Sequence, residues 1–141
     1  MQVLLIEDNP ADAELTIDAL RESHLVNQVV WLKDGAEAIE LLFGEQAAGK
    51  IQRLKLVLLD LQLPRVNGLD VLRRIRSDDS TRRLPVVVLT SSMEESDVVR
   101  AYDLGTNSYL VKPVDAESFF QIVKELGLYW MLLNKAPGEV R

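Results

Sequence analysis

Four short stretches of the chain consist of large apolar residues with no polar residue between them. A strand has this pattern when both faces of its sheet are covered, as in a parallel sheet between two layers of helices. The four stretches span residues 3–6, 56–59, 86–89 and 109–111. We therefore predict four buried strands that belong to one parallel sheet.

Segments with helical signals separate these strands. Asn9 and Pro10 predict a helix start after the first strand, because Asn can cap a helix and Pro suits the first helical position. A fifth strand is predicted at 26–32, helix starts at Asp34, Asn67, Ser91 and Asp115, and a left-handed helix end at Gly105. Residues 44–55 lack periodicity and are predicted to form a loop. Five strands that alternate with five helices predict an α/β sandwich with a five-stranded parallel sheet.

The end of the last predicted helix differs from the others. We expect this helix to continue past Gly127, where residues 128–133 are apolar on every side. One core face cannot bury all of them, and an exposed apolar patch of this kind is typical of a protein interface. We predict a homodimer built on this helix and its neighbours. The residues expected at that interface are Phe119, Tyr129, Trp130 and Leu133.

The composition indicates a single globular domain. Of 141 residues, 48% are apolar and 27% are charged, which is the usual balance of a soluble protein. We assign residues 1–133 to this domain and 134–141 to a short tail, with no output domain expected after it. The net charge of −6, from 16 basic and 22 acidic residues, argues against a nucleic-acid partner.

Membrane and secretory classes are disfavoured as well. No stretch approaches the ~20 apolar residues that a transmembrane helix needs, and Glu7 and Asp8 come too early for a secretory signal. We expect a cytoplasmic protein that does not associate with membranes. Because the chain has no cysteine, it has no disulfide, no thiol nucleophile and no cysteine-ligated zinc site.

Each of the four apolar stretches is followed by polar or charged residues. The carboxyl ends of parallel strands meet at one edge of a sheet, where ligands of open α/β folds bind. We therefore expect these polar residues to converge into one site. Its predicted members are Glu7, Asp8, Asp60, Thr90 and Lys112.

The charges in this predicted site require a cation. At an effective dielectric of about 20 and a separation of ~4 Å, each pair of carboxylates costs about 4 kcal/mol. Lys112 supplies one positive charge, and oxygen ligands without Cys or His favour Mg²⁺ as the other. A carboxylate beside Mg²⁺, an ammonium and a hydroxyl can form an acyl phosphate. In this hypothesis Asp60 is the nucleophile, and Asp8 is a direct metal ligand. Glu7 is a second metal ligand, either directly or through a water molecule, and Thr90 and Lys112 hold phosphoryl oxygens.

Four motifs together resemble one known family. They are Glu7-Asp8 after the first strand, Asp60 in LVLLDLQLP, Thr90-Ser91 after the fourth strand, and Lys112-Pro113 after the fifth. Their joint spacing is similar to that of bacterial response-regulator receiver domains, and the resemblance covers roughly residues 1–133. It implies a flavodoxin-like (βα)5 fold with strand order 2-1-3-4-5. It further implies phosphoryl transfer from a sensor histidine kinase.

The same resemblance implies roles for further residues. The backbone carbonyl of Gln62 would be a metal ligand, and the peptide bond between Lys112 and Pro113 would be cis. Tyr109 would be a rotameric switch residue that turns inward when Thr90 moves toward the phosphoryl group. The segments EDNPADAELT, VVVLTSS and ELGLYWMLLN are similar to those of single-domain regulators associated with phytochromes, whose kinase is a red-light photoreceptor.

Two other classes of protein fit the sequence less well. A phosphatase of the haloacid-dehalogenase type also uses a strand-terminal Asp with Mg²⁺, but it needs a second Asp two residues later, where this chain has Gln62. A flavodoxin-like FMN-binding protein needs small and hydroxyl residues after the first strand. This chain has Glu7, Asp8, Asn9 and Pro10 there.

Overall fold

The computed structural model describes residues 1–45, 47–91 and 95–128. Its centre is a five-stranded sheet in the order β2-β1-β3-β4-β5, and all four strand pairs are parallel. The elements are β1 Gln2–Ile6, α1 Pro10–Glu22, β2 Gln28–Leu32, α2 Gly35–Phe43, α3 Ala47–Ile51, β3 Leu54–Asp60, α4 Gly68–Ser77, β4 Val86–Thr90, α5 Glu95–Asp103, β5 Ser108–Val111 and α6 Ala116–Glu125. The predicted flavodoxin-like fold and strand order are confirmed.

Two hydrophobic cores cover the two faces of the sheet. Leu56 and Leu58 of β3 point into a core that they share with α1 and α6, whereas Val57 and Leu59 point into a core shared with α2, α4 and α5. Successive strand residues alternate between faces, so a strand with apolar residues at every position buries both sides. The apolar stretches are uninterrupted because both faces of the sheet are buried.

Side-chain caps start the helices at the predicted residues. Asn9 Oδ1 accepts the N–H of Asp12 at 3.1 Å, and Asp34 Oδ1 accepts the N–H of Glu37 at 2.8 Å. Asp115 Oδ1 likewise accepts the N–H of Ser118 at 2.7 Å before α6. Each cap satisfies a helix N–H that has no intrahelical partner. The caps therefore fix where α1, α2 and α6 begin relative to the ends of the strands that precede them.

The structure corrects the prediction of a loop between residues 44 and 55. This segment contains the short helix α3, Ala47–Ile51, and β3 begins at Leu54 instead of residue 56. The chain therefore has six helices within the described residues, not five. A helix of five residues shows little periodicity, which explains why the sequence pattern missed it.

The prediction for the last helix also changes. α6 ends at Glu125, and Gly127 has a φ of +77°, so the helix does not continue through Gly127 as expected. The assignment of Phe119 to an interface is wrong, because its side chain is fully buried in the core. Leu128 is also buried. The other predicted interface residues, Tyr129, Trp130 and Leu133, lie outside the described residues.

Among the helices of the described residues, none combines the length and the apolar character that crossing a bilayer requires.

Candidate functional site

The polar residues that follow the strands meet at the carboxyl edge of the sheet. Asp60 is the last residue of β3 and pairs in register with Leu89, and Thr90 is the last residue of β4. Glu7 and Lys112 come directly after β1 and β5. Parallel strands bring all of these positions to one edge, so the predicted convergence has its cause in the topology.

Lys112 lies at the centre of this edge. Its ammonium donates to Asp60 Oδ2 at 2.8 Å and to Asp12 Oδ2 at 3.2 Å, and it is in direct contact with Glu7 Oε1. Its backbone N–H donates to the carbonyl of Thr90 at 2.8 Å, and the peptide bond to Pro113 is cis. Lys112 is therefore held by its backbone next to β4 while its side chain reaches residues at the ends of β1 and β3.

Glu7 is the most enclosed acid of the site. Its side chain is fully buried, and its backbone carbonyl accepts the indole N–H of Trp31 at 2.8 Å. Burial, together with the neighbouring carboxyl of Asp60, raises the pKa of Glu7 to about 8, although Lys112 opposes the shift. In the absence of a metal ion, Glu7 therefore holds a proton over much of the neutral range.

The acids have the opposite effect on Lys112. Burial alone would lower the pKa of its ammonium, but hydrogen bonds to Asp60 and Glu7 outweigh burial and raise that pKa. Lys112 is therefore a permanent positive charge at this edge. A single ammonium cannot balance Glu7, Asp8, Asp60 and Asp12 once all four are ionised.

The remaining negative charge fits a divalent cation. One carboxylate oxygen from each of Glu7, Asp8 and Asp60 lies within 4.8 Å of the others. Asp8 is exposed and is not among the carboxylates that Lys112 contacts. Glu7 Oε2 is buried and has no hydrogen-bond partner, so it too is available to a cation. A set of carboxylate oxygens of this kind suits Mg²⁺.

A small cavity connects Asp60 with Thr90. It is lined by Asp60, Leu61, Gln62, Leu89, Thr90 and Ser91. The N–H of Gln62 donates to Asp60 Oδ1 at 2.9 Å, which fixes the carboxylate of Asp60 from the loop side. The carboxylate and the end of β4 therefore face a common space next to Lys112.

The loop after Asp60 depends on a close backbone contact. Gly68 donates its N–H to the carbonyl of Leu61 at 3.0 Å, and a Cβ at Gly68 would lie 2.3 Å from the carbonyl oxygen of Asp60. Only glycine fits this position without moving the backbone of Asp60. The start of α4 is therefore packed directly against the end of β3.

Tyr109 lies one strand away from the acids. Its side chain is half-buried, and its ring meets that of Tyr102 edge-on, with centroids 6.2 Å apart. Tyr102 is on the exposed face of α5. The two rings connect the core behind β5 with the protein surface, and the switch role of Tyr109 remains a prediction.

Asp12 is a site residue that the sequence interpretation did not include. It lies in the first turn of α1, where an acidic residue is favoured by the helix dipole. Its carboxylate nevertheless forms an ion pair with Lys112. The available signal was topological. The helix after β1 begins at the same sheet edge as the strand-end acids, so its first turn faces the site.

The comparison with protein families agrees with this geometry. A family model described as the response regulator receiver domain matches residues 3–124. The chain belongs to the receiver domain family. This receiver is therefore a module of two-component signalling and not a member of a phosphatase or flavin-binding family.

Two named regulators align with nearly the whole receiver. The probable methanogenesis regulatory protein FilR2 of Methanothrix harundinacea is 40% identical over 96% of this chain and 87% of that protein. Response regulator Rcp1 of Synechocystis is 36% identical over 96% of this chain and 92% of its own length. Both alignments extend beyond the part of the receiver that the family model covers.

Solved structures of response regulators, two of them named for phytochromes, are similar to this receiver. The bacteriophytochrome response regulator RtBRR is 47% identical with a TM-score of 0.82, over 97% of this chain and 84% of that chain. The phosphorylated cyanobacterial phytochrome response regulator RcpA is 41% identical with a TM-score of 0.74, over 96% and 95%. The Mn²⁺-bound form of Rcp1 is 35% identical with a TM-score of 0.73, over 96% of both chains.

Proposed function

We propose that Asp60 accepts a phosphoryl group from the phosphohistidine of a sensor histidine kinase. A carboxylate oxygen of Asp60 attacks the phosphorus, a new P–O bond forms as the P–N bond breaks, and the kinase histidine leaves as the neutral imidazole after it takes up a proton. Asp60 acts as an ionised carboxylate, so this step needs no general base. The receiver catalyses this transfer and its own later hydrolysis, and it acts on no other substrate.

The contact between Lys112 and Asp60 carries this proposal. The ammonium lies 2.8 Å from Asp60 Oδ2 and is itself only 11% exposed. A phosphoryl group on Asp60 would place additional negative charge beside a cation that is already in position. Preorganised charge of this kind stabilises a transferring phosphoryl group without the cost of rearrangement.

Mg²⁺ is the proposed cofactor. Glu7, Asp8, Asp60 and the backbone carbonyl of Gln62 would hold it, in agreement with the three clustered carboxylates and the unpartnered Glu7 Oε2. When bound, the ion would neutralise charge that develops on the phosphoryl oxygens. The Mn²⁺-bound structure of the similar regulator Rcp1 supports a divalent ion in this family.

Thr90 and Lys112 are the proposed ligands of the phosphoryl oxygens. Thr90 lines the small cavity next to Asp60, and its carbonyl already accepts the Lys112 N–H at 2.8 Å. We propose that Thr90 moves toward the phosphoryl group and that Tyr109 turns inward behind it. This would alter the surface formed by α5, β5 and α6, which is a two-state packing change biased by local charge.

For the upstream partner we propose a phytochrome kinase. Support comes from the names of RtBRR and RcpA, which are phytochrome response regulators of 47% and 41% identity. FilR2, another relative, is named for methanogenesis and not for a phytochrome, so relatives of this receiver differ in their named roles. The direct test is therefore phosphoryl transfer from a red-light photoreceptor kinase to this receiver. Transfer to wild type at a rate no higher than from an unrelated kinase would contradict this partner.

We further propose that the receiver acts in the cytoplasm through protein contacts, as a homodimer that uses Tyr129, Trp130 and Leu133. Sedimentation of wild type against Tyr129→Ala and Trp130→Ala tests the dimer, because each truncation removes a large apolar contact. A wild type that stays monomeric at high concentration, phosphorylated or not, would contradict it.

Intact mass after incubation with Mg²⁺ and acetyl phosphate tests the phosphoryl transfer. We expect one added phosphoryl group in wild type, loss of the label after chelation of Mg²⁺ before the reaction, and no label in Asp60→Asn. Asp79→Asn removes an exposed acid far from the site and serves as the matched control. An Asp60→Asn protein that is labelled like wild type would contradict the assignment.

A further inference from the structure

The Lys112 ammonium has no free N–H donor in this structure. An ammonium carries three donors and no acceptor. Three carboxylates receive them, namely Glu7 after β1, Asp60 at the end of β3 and Asp12 in α1. If Lys112 is to donate to a phosphoryl oxygen, as the proposed function requires, one of these hydrogen bonds has to break.

The three acceptors differ in how easily they can be released. The side chains of Glu7 and Asp60 are 0% and 7% exposed, whereas that of Asp12 is 36% exposed. The hydrogen bond from Lys112 to Asp12 is also the longest of the three, at 3.2 Å against 2.8 Å for the bond to Asp60. Water can replace Lys112 as the partner of Asp12, but it cannot reach Glu7. Asp12 is therefore the acceptor whose release costs least.

The other two acceptors have reasons to stay. Glu7 Oε2 already lacks a hydrogen-bond partner, so loss of Lys112 would leave both oxygens of a buried carboxyl unsatisfied. Asp60 is the residue that would carry the phosphoryl group, and Lys112 has to remain next to it. The backbone of Asp12 is fixed by the hydrogen bond from its N–H to Asn9 Oδ1 at 3.1 Å. Release therefore needs only a side-chain rotation.

We propose that Asp12 is a positioning residue that holds Lys112 in the resting receiver and is exchanged for a phosphoryl oxygen when Asp60 is phosphorylated. This rests on the proposed function of Asp60. Asp12 competes with the phosphoryl group for one N–H of Lys112, so its carboxylate opposes phosphorylation. Removal of that carboxylate favours the phosphorylated state.

The variant Asp12→Asn tests the competition. With acetyl phosphate and Mg²⁺, we expect Asp12→Asn to be phosphorylated roughly two- to fivefold faster than wild type, which is the range for a partly exposed ion pair. Asp18→Asn is the matched control, because it removes the same charge from the exposed side of α1. Equal acceleration in Asp18→Asn would indicate a general charge effect and would overturn the proposal.

Two further measurements separate positioning from a merely structural role. In a Lys112→Gln background, Asp12→Asn should no longer accelerate phosphorylation, because Asp12 acts only through Lys112. The ¹⁵N resonance of the Lys112 ammonium should shift in Asp12→Asn and stay unchanged in Asp18→Asn. An acceleration that persists without Lys112, or an ammonium resonance unmoved by Asp12→Asn, would overturn the exchange.

The outcome for wild type separates this inference from the proposed function. If wild type takes no phosphoryl group, or if Asp60→Asn still does, the proposed function fails. If wild type is phosphorylated on Asp60 but Asp12→Asn reacts no faster, only the role of Asp12 fails.

Discussion

Two partly buried cations lie at opposite edges of the same sheet, and they have different kinds of partner. Lys112, at the carboxyl edge, contacts the carboxylates of Glu7, Asp60 and Asp12. Arg76, on α4 at the amino ends of β4 and β5, has no carboxylate within ion-pair distance among the described residues. The partners of Lys112 are therefore titratable groups, whereas those of Arg76 are not.

Arg76 binds neutral oxygens instead. Its guanidinium donates to the carbonyls of Gly105 and Leu84, each at 2.7 Å, and to Asn107 Oδ1 at 2.8 Å. A fourth, longer bond of 3.2 Å reaches the carbonyl of Arg82. Asn107 Oδ1 in turn accepts the N–H of Val86 at 2.8 Å. Arg76 thus ties the loops before β4 and β5 to α4.

The two cations differ in role, because Arg76 contributes to stability and Lys112 is part of the proposed reaction site. Backbone carbonyls do not titrate and are held in place by the fold, so the contacts of Arg76 are structural. The partners of Lys112 are carboxylates, and the proposed function requires one of them to give way to a phosphoryl oxygen while the fold stays intact.

The largest effect is expected from Arg76→Ala. Its loss leaves two part-buried carbonyls, one exposed carbonyl and one exposed side-chain amide without their charged donor, so we expect the free energy of unfolding to fall by about 3 kcal/mol. Urea denaturation measures this directly. Arg73→Ala, an exposed position on the same helix, is the matched control and should change little. If Arg76→Ala is as stable as Arg73→Ala, Arg76 does not have this structural role.

The next effect is expected from Lys112→Gln, and it concerns rate. Loss of a charged hydrogen bond to the phosphoryl group should slow phosphorylation by acetyl phosphate roughly 10- to 100-fold. Lys124→Gln removes an exposed lysine of α6 and should react like wild type. Circular dichroism establishes that both variants are folded. A folded Lys112→Gln protein that reacts at the wild-type rate would exclude Lys112 from the reaction.

A smaller effect is expected from the pH dependence of Glu7. Its folded-state pKa is about 8 against an ordinary value of 4.5, so between these values the folded chain holds a proton that the unfolded chain has released. The stability that this proton contributes is complete below the unfolded pKa and is lost as the pH rises through the folded pKa. Without divalent ions, wild type should therefore lose stability relative to Glu7→Gln from pH 5.5 toward pH 8 and level off above it.

Denaturation at a series of pH values measures this difference, and Glu14→Gln on the exposed side of α1 gives the background. A stability difference between wild type and Glu7→Gln that stays constant across this range would mean that Glu7 keeps an ordinary carboxyl pKa. Glu7 would then not be the group with a shifted pKa that distinguishes the surroundings of Lys112 from those of Arg76.

The polar residues at the carboxyl edge could be predicted from the sequence, because each of them follows an apolar stretch that forms a strand. Asp60, Thr90 and Lys112 each follow an apolar stretch, and parallel strands bring such ends together. Helix starts at Asn9 and Asp115 were predictable for a local reason, since a cap acts within three residues. The rule for strand ends does not select Asp12, because Asp12 lies in the first turn of α1 and not at the end of a strand.

The amino edge could not be predicted in the same way. Most partners of Arg76 are backbone carbonyls, which every residue has, so no side-chain pattern marks them. The apolar residues around the last helix are too numerous for one core face, so the sequence predicts Phe119 at an interface. In the structure Phe119 is fully buried in the core that α1 and α6 share.

The central claim is that Asp60 is the residue that takes the phosphoryl group. Sodium borohydride reduces an aspartyl phosphate to homoserine, which peptide mass spectrometry can locate. After reaction of wild type with acetyl phosphate and Mg²⁺, we predict homoserine at position 60 alone. Homoserine at position 8 or 12, with Asp60 unmodified, would contradict the claim.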